Sequence, residues 1–318
     1  MSKLLIVKTS SLGDVIHALP VLSDLVGARP DLQVGWLVEE AFTCLPGLHP
    51  AGVQVIPVAL RRWRRQWRAP ATRLEWQAMR AALATFAADQ VLDLQGLVKS
   101  AVLSCASPGE RLGYRWASAR EPLASLFYHR CFAVSRQQHA VQRNRALAAA
   151  ALGYTLPEAC RYGLRQEGSQ SVALLLHATS RDDKLWPVAS WQALGRALAA
   201  QGLACRLPAG NAVEAARAMA IAAAIPDAQV LPPGPLAALL PVFASARLAV
   251  GVDTGLTHLA AAYGMPVVAV YTATRPAATG VFGSACAANL GGPGQVPAVA
   301  EVLARLQQLQ AGLAQVSA

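Results

Sequence analysis

Residues 3–25 read KLLIVKTSSLGDVIHALPVLSDL, and this stretch decides the fold. Leu4–Val7 is a compact apolar run, Thr9–Ser11 a polar turn, and Asp14 through Leu25 repeats apolar residues at helical spacing. The stretch therefore reads as strand, loop and helix. Further β-like runs at Val34–Val38, Val53–Val58 and Val91–Leu94, with a helical stretch between Thr72 and Ala88, continue the alternation. Alternating strands and helices imply a parallel sheet with both faces covered.

The same opening recurs at Ser171, where the apolar SVALLLHAT meets the polar SRDDKLWP and then a helix over Ser190–Ala200. Strand-like LACRLPAG, QVLPPG, LAVGVDTG and PVVAVYT follow, separated by alanine-rich helical segments. The comparatively polar Tyr154–Ser171 is the expected linker. Residues 1–160 and 161–318 thus read as two doubly wound, Rossmann-like α/β domains, whose strand ends are expected to face a central cleft. The final stretch, Val296 to Val316, has helical spacing and suits either domain, including a return onto the N-terminal one. Hinge closure is a reasonable expectation for two such domains on one linker.

Composition agrees with two buried cores. The 318 residues are 54% hydrophobic and 14% charged, too apolar for a disordered chain. Lysine and arginine number 28 against 18 acidic residues, a net charge of +10 that points to an anionic partner. The uncharged stretches Thr254–Thr274 and Ala228–Ala246 are interrupted by Gly264, Pro266, Pro232, Pro233 and Pro241, so neither reads as a membrane span. MSKLLIVKTSS lacks the apolar core of a signal peptide, so a cytosolic location is expected. Cys44, Cys105, Cys131, Cys160, Cys205 and Cys286 show no CxxC spacing and read as reduced, mostly buried thiols without zinc. Neither GxGxxG nor GxxxxGK[ST] is present, which disfavours a simple dinucleotide enzyme or a P-loop enzyme.

Four segments carry candidate chemistry. In KTSSLGD, Gly13 permits close backbone approach, while Asp14 is either a helix-capping acid or a general base. In HATSRDDKLWP, the Thr179 and Ser180 hydroxyls and Lys184 suit a diphosphate, unless the loop is only a charge-balanced surface. Adjacent Asp182 and Asp183 lack the spacing of a DxD metal motif, and no metal site is expected. In VDTGLTH, a strand ending at Asp253, Thr254 and Gly255 offers backbone N–H groups to an anion, with His258 either a ligand contact or a core residue. Glu214, after a Pro-Ala-Gly turn, could accept from two ribose hydroxyls. The fourth segment, RRWRRQWR at 61–68, is expected to place Trp63 and Trp67 on one helical face among arginines. It suits a phosphorylated amphiphile at a membrane surface, with nucleic acid as the rival partner. Lys99 and Arg120 add cations at loops.

In this order, KTSSLGDVIHALP, VIPVALRRWRR, DLQGLVKSA, SAREPLASLFY, HATSRDDKLWP, LPAG with Glu214, and VDTGLTHLAAA resemble the lipopolysaccharide heptosyltransferases over nearly the full length. The resemblance implies an inverting glycosyltransferase of GT-B fold, moving heptose from ADP-L-glycero-β-D-manno-heptose to a Kdo residue of Kdo-lipid A without a metal. The second core heptosyltransferase, or another nucleotide-sugar transferase, is the alternative within the class. It implies Asp14 as catalytic base and Lys184 as the group stabilising departing ADP. Thr179, Ser180, Glu214, Gly234, Asp253, Thr254, Gly255 and His258 become donor contacts. Ser180 keeps the hydroxyl of a threonine found in relatives, and Gly234 stands where a larger side chain can touch the nucleotide. Arg61, Arg62, Arg64, Arg65, Lys99 and Arg120 become acceptor-side cations. The implied location is peripheral, on the cytoplasmic face of the inner membrane, with no nucleic-acid partner.

Overall fold

The computed structural model describes residues 2–166 and 171–316. The chain divides into two compact units, Met1–Gly163 and Leu164–Ala318, three residues past the boundary read from the sequence. Residues 167–170 of the expected linker lie outside the described residues.

The first unit holds six parallel strands: β1 (Ser2–Val7), β2 (Leu32–Glu39), β3 (Gln54–Val58), β4 (Gln90–Asp93), β5 (Glu110–Tyr114) and β6 (Arg130–Phe132). Their order is β3-β2-β1-β4-β5-β6, that of a doubly wound Rossmann sheet. Register is fixed by buried strands, with Leu5 opposite Gly35 and Val91, and Val7 opposite Leu37 and Asp93. Leu5, Val7, Leu37, Ile56 and Val91 pack with Trp63, Met79, Leu83 and Phe86 into one core.

The second unit repeats the plan with β7 (Val172–Leu176), β8 (Ala204–Pro208), β9 (Gln229–Leu231), β10 (Leu248–Val252), β11 (Val267–Tyr271) and β12 (Ala287–Gly291). Its order, β12-β11-β10-β7-β8-β9, is the same Rossmann order read from the other edge. Both sheets therefore reverse direction beside their first strand, between β1 and β4 and between β7 and β10. Ligands of doubly wound sheets bind outside the strand ends at such a switch point. The fold is the α/β, paired-Rossmann GT-B type.

Some expectations change. The single helix expected over Asp14–Leu25 is two, Leu12–Ile16 and Leu19–Ala28, because Pro20 has no N–H to continue the first and instead sits in the first turn of the second. The final helix, Val299–Val316, lies in the second unit, where Val302, Leu306 and Leu309 join the core around Trp186 and Trp191. All six cysteines are free, yet only Cys205 is buried, and Cys105 and Cys131 are exposed, contrary to the expectation of mostly buried thiols.

Candidate active site

In the first unit the loops after β1 and β4 meet at the switch point. The Thr9 amide and hydroxyl donate to Gln95 Oε1 at 2.8 and 2.9 Å, and the Gln95 amide group returns a bond to the Ser10 carbonyl at 2.9 Å. These bonds fix the turn that leads into Leu12–Ile16. Asp14 lies in the first turn of that helix, where its Oδ2 accepts from the Ser11 amide at 2.9 Å and the Ser11 hydroxyl at 3.2 Å. Asp14 is thus both a capping acid and a part-exposed carboxylate, and the two readings of it are compatible.

Cations surround it. Arg120 Nη1 is 3.9 Å from Asp14 Oδ2, and Lys99 Nζ lies 3.4 Å from the Ser10 hydroxyl. Lys8 is buried, donating to the Leu94 carbonyl at 2.8 Å; burial pushes its ammonium below the ordinary value, while Asp14 and Asp93 pull it back up. Beneath the β4 loop, Asp93 accepts from the Gln95 and Gly96 amides, the Ser100 hydroxyl and the Tyr128 hydroxyl. Burial pushes its carboxyl upward against those bonds. Asp93 thus organises the turn that leads into the helix Val98–Ser104, which carries Lys99.

The arginine segment folds differently from its sequence reading. Its helix stops at Arg65, with Gln66 as C-cap, so Trp63 and Trp67 do not share a helical face. Trp63 is buried and donates to Glu75 at 2.6 Å, whereas Trp67 is exposed under the Arg68 guanidinium, 4.4 Å from the ring centroid. Arg62 is bound by Glu40 at 2.8 Å and Glu75 at 2.9 Å, so its charge is largely neutralised within the protein, unlike the acceptor cation the resemblance implied. Arg61, Arg64 and Arg65 form no ion pair among the described residues. With Trp67, Arg73, Trp76 and Lys99 they line an open groove of about 950 Å³.

In the second unit, the β7 and β10 loops meet at the other switch point. Lys184 Nζ is 2.8 Å from Asp253 Oδ2, Thr274 donates to the same oxygen at 2.7 Å, and Thr179 donates to the Asp253 carbonyl at 3.1 Å. Thr272 donates to the Asp183 carbonyl at 2.8 Å, pinning the Asp182–Lys184 turn. Asp183 is itself paired with Arg181. Thr254 is the N-cap of Gly255–Ala262, but its hydroxyl does not cap that helix. His258 is buried in the same helix, and Ser180 is exposed beside Thr179. Thr257 donates to the Val252 carbonyl at 2.7 Å directly over Gly251, where a Cβ would collide with its hydroxyl.

Glu214 occupies the first turn of Ala212–Ala222, with Oε2 accepting from the Gly210 amide at 2.7 Å and Oε1 from the Asn211 side chain at 2.9 Å. It is a structural cap, although each oxygen retains a lone pair for a ligand. Gly234 lies exposed in the connection from β9 to Leu236–Ser245. The sequence reading missed Thr272 and Thr274; their position immediately after the PVVAVYT strand, beside β10, was the available signal. It also missed Arg217, which donates to the Trp186 carbonyl at 2.5 Å. Among the described residues, no group of three or more His, Cys, Asp or Glu side chains could hold a metal.

The sequence profile of glycosyltransferase family 9 (heptosyltransferase) matches residues 76–301. The chain belongs to this family. As a family 9 glycosyltransferase it is an enzyme, and it is 44% identical over 290 residues to lipopolysaccharide heptosyltransferase 1 of Escherichia coli K12, covering 88% of this chain and 91% of that one. It is likewise 44% identical to lipopolysaccharide heptosyltransferase 1 of Pseudomonas aeruginosa, covering 88% of this chain and 81% of that protein. The E. coli heptosyltransferase WaaC with ADP superimposes with a TM-score of 0.90 at 40% identity, over 96% of this chain and 99% of that one. WaaC with ADP-2-deoxy-2-fluoro heptose gives 0.84 at 40% identity, over 98% and 99%.

Proposed function

We propose that this glycosyltransferase moves heptose from ADP-L-glycero-β-D-manno-heptose to a Kdo residue of Kdo-lipid A during lipopolysaccharide core synthesis, with inversion. The observation that carries the reading is the division of chemistry between two switch points: a part-exposed carboxylate among cations in the first unit, and a lysine with hydroxyls and a helix N-terminus in the second. The names of the relatives, and the ADP and fluorinated ADP-heptose bound by WaaC, support the donor.

The chemistry follows from the side chains. The Asp14 carboxylate takes the proton of the acceptor hydroxyl, whose oxygen attacks the anomeric carbon while the bond to the diphosphate oxygen breaks. ADP leaves carrying the electron pair. Lys184 supplies a fixed positive charge for it, and Thr179, Ser180 and the N–H groups at Gly255 donate to phosphate oxygens. Those groups do what a divalent ion would otherwise do, which supports a metal-independent reaction. Arg61, Arg64, Arg65, Lys99 and Arg120 are the cations proposed to hold the acid groups of the acceptor, and the location proposed with this acceptor is peripheral, on the cytoplasmic face of the inner membrane. The related second core heptosyltransferase remains the alternative, and acceptor choice separates them.

The test is ADP release from ADP-heptose with and without Kdo-lipid A, in chelator, for wild type and Asp14→Asn. Acceptor-dependent release that survives chelator and is lost in the variant supports the reading. Folded wild type that releases no ADP with this pair overturns it.

A further inference from the structure

The connection from β5 to β6, residues 115–129, exposes Trp116, Leu123 and Leu126, which are 50%, 55% and 71% accessible. Leu123 and Leu126 lie three apart on the 3-10 helix Pro122–Phe127, where residues at that spacing eclipse and project together. The opposite side of this helix is anchored, since Ala124 is buried with Ala101 and Tyr128. The helix packs on Val98–Ser104, which carries Val102, half exposed. The two leucines therefore stand accessible on a helix whose other side is packed.

Charge indicates what covers them. Residues 1–163 contain nineteen Lys and Arg against eleven Asp and Glu, so +8 of the net +10 lies in the first unit. The same two segments carry exposed Lys99, Arg115 and Arg120, while Glu121 turns its carboxylate to the Val98 amide at 2.7 Å. Leucines projecting beside cations match the interfacial zone of an anionic bilayer. The Arg120 guanidinium is 3.9 Å from Asp14, and Arg120 is three residues from Leu123, a backbone span of about 11 Å at most. Seating these leucines in a bilayer would bring Asp14 to headgroup level.

We infer that Leu123, Leu126 and Val102 form a wedge that inserts into anionic membrane and holds Asp14 at the headgroup plane. This rests on the reading that the acceptor is a membrane lipid, and it assigns the apolar anchor to this ridge, apart from the arginine groove.

The experiment is co-sedimentation with vesicles of phosphatidylethanolamine and phosphatidylglycerol, and with phosphatidylcholine vesicles. Wild type is compared with Leu123→Ser/Leu126→Ser and, as an exposed apolar control in the second unit, Met219→Ser. Thermal unfolding confirms that each variant folds. The wedge requires that wild type bind the anionic vesicles, that the double variant lose about tenfold or more in affinity, and that Met219→Ser bind as wild type. A nitrobenzoxadiazole label on Cys131, whose sulfur is 3.5 Å from the Ser125 carbonyl, should shift to the blue on those vesicles. Undiminished binding by the double variant overturns the wedge, as does wild type that binds no vesicle. Turnover of ADP-heptose with detergent-dispersed Kdo-lipid A, measured alongside, reports separately on the transferase reading.

Discussion

Lys184 and Asp253 are joined at 2.8 Å, and Thr274 holds the same carboxylate oxygen at 2.7 Å, so the lysine reaches from the β7 loop to a carboxylate fixed by the β10 and β11 loops. The pair is mostly shielded, at 18% and 12% side-chain exposure, so the ammonium keeps a defined position before any substrate arrives. An enzyme that must stabilise a departing diphosphate gains from such preorganisation. Lys184→Ala is expected to raise the KM for ADP-heptose and lower kcat by about a hundredfold or more. Steady-state kinetics check this, and unchanged constants would remove Lys184 from the reaction.

Asp14→Asn should fold, because the amide oxygen can still accept from the Ser11 N–H, but it has no basic carboxylate. Turnover is expected to drop about 10²- to 10⁴-fold with a melting temperature close to wild type. A folded variant retaining full turnover would leave Asp14 as a cap alone.

The stretch at residues 3–25 made the first βα unit legible, and Ser171 onward made the second, since long apolar strands followed by polar loops leave few alternatives. Three strands were not legible. Arg130–Phe132 is three residues with little burial, Ala287–Gly291 is small and glycine-containing, and Glu110–Tyr114 opens on two charged residues. Each borrows its conformation from a neighbouring strand, which local pattern does not record. The placement of Asp14, Thr179, Lys184 and Asp253 beyond strand ends was legible because each lies in the polar stretch that follows an apolar run. Thr274 was not, because its contact with Asp253 depends on β10 and β11 being adjacent. The pairing of Arg62 with Glu40 and Glu75 was hidden likewise, bridging 22 and 13 residues of sequence.

That pairing separates two roles within one arginine-rich segment. Glu75 accepts from Arg62 and from the Trp63 indole, so Glu75→Ala leaves a nearly buried indole N–H and a guanidinium short of a partner. It should lower stability by about 1–3 kcal/mol, measured by urea unfolding. Arg64→Ala/Arg65→Ala should leave stability within about 0.5 kcal/mol and instead raise the KM for the lipid acceptor. Equal effects of the two changes on both measurements would show that the segment is not divided in this way.

Stability should fall in mild acid. His49 and His177 are buried, and burial lowers both imidazoles to about 4 from an ordinary 6.5. His49 bonding agrees with a neutral ring, since Nδ1 accepts from the Ala51 amide at 3.1 Å and Nε2 lies 2.9 Å from the Ser23 hydroxyl. Between pH 6.5 and 4 the unfolded chain binds these protons and the folded chain does not, so stability is present above about 6.5 and lost as pH falls toward 4. Each histidine contributes at most about 1.4 kcal/mol per pH unit in that window. Urea midpoints at pH 7 and pH 5 should differ, with a smaller difference in His49→Gln. Identical midpoints in wild type would show that these rings are not held neutral.

The first unit is closed by an ion pair that no local pattern announces. Arg145 meets Asp24 with Nε to Oδ2 at 2.8 Å and Nη2 to Oδ1 at 2.9 Å, both side chains under 5% exposed. Arg145 Nη2 also donates to the carbonyls of Pro157 and Ala159, so one guanidinium ties Leu19–Ala28, Ala140–Leu152 and the segment leaving the first unit. Removing one partner strands the other charge in a low-dielectric interior, which costs far more than the pair itself contributes. Asp24→Ala is therefore expected to destabilise the first unit by about 3–5 kcal/mol, with Asp24→Asn milder because its oxygen still accepts from the guanidinium. Urea unfolding followed by tryptophan fluorescence checks both, and a loss below about 1 kcal/mol in Asp24→Ala would mean that water reaches the buried guanidinium and replaces the carboxylate.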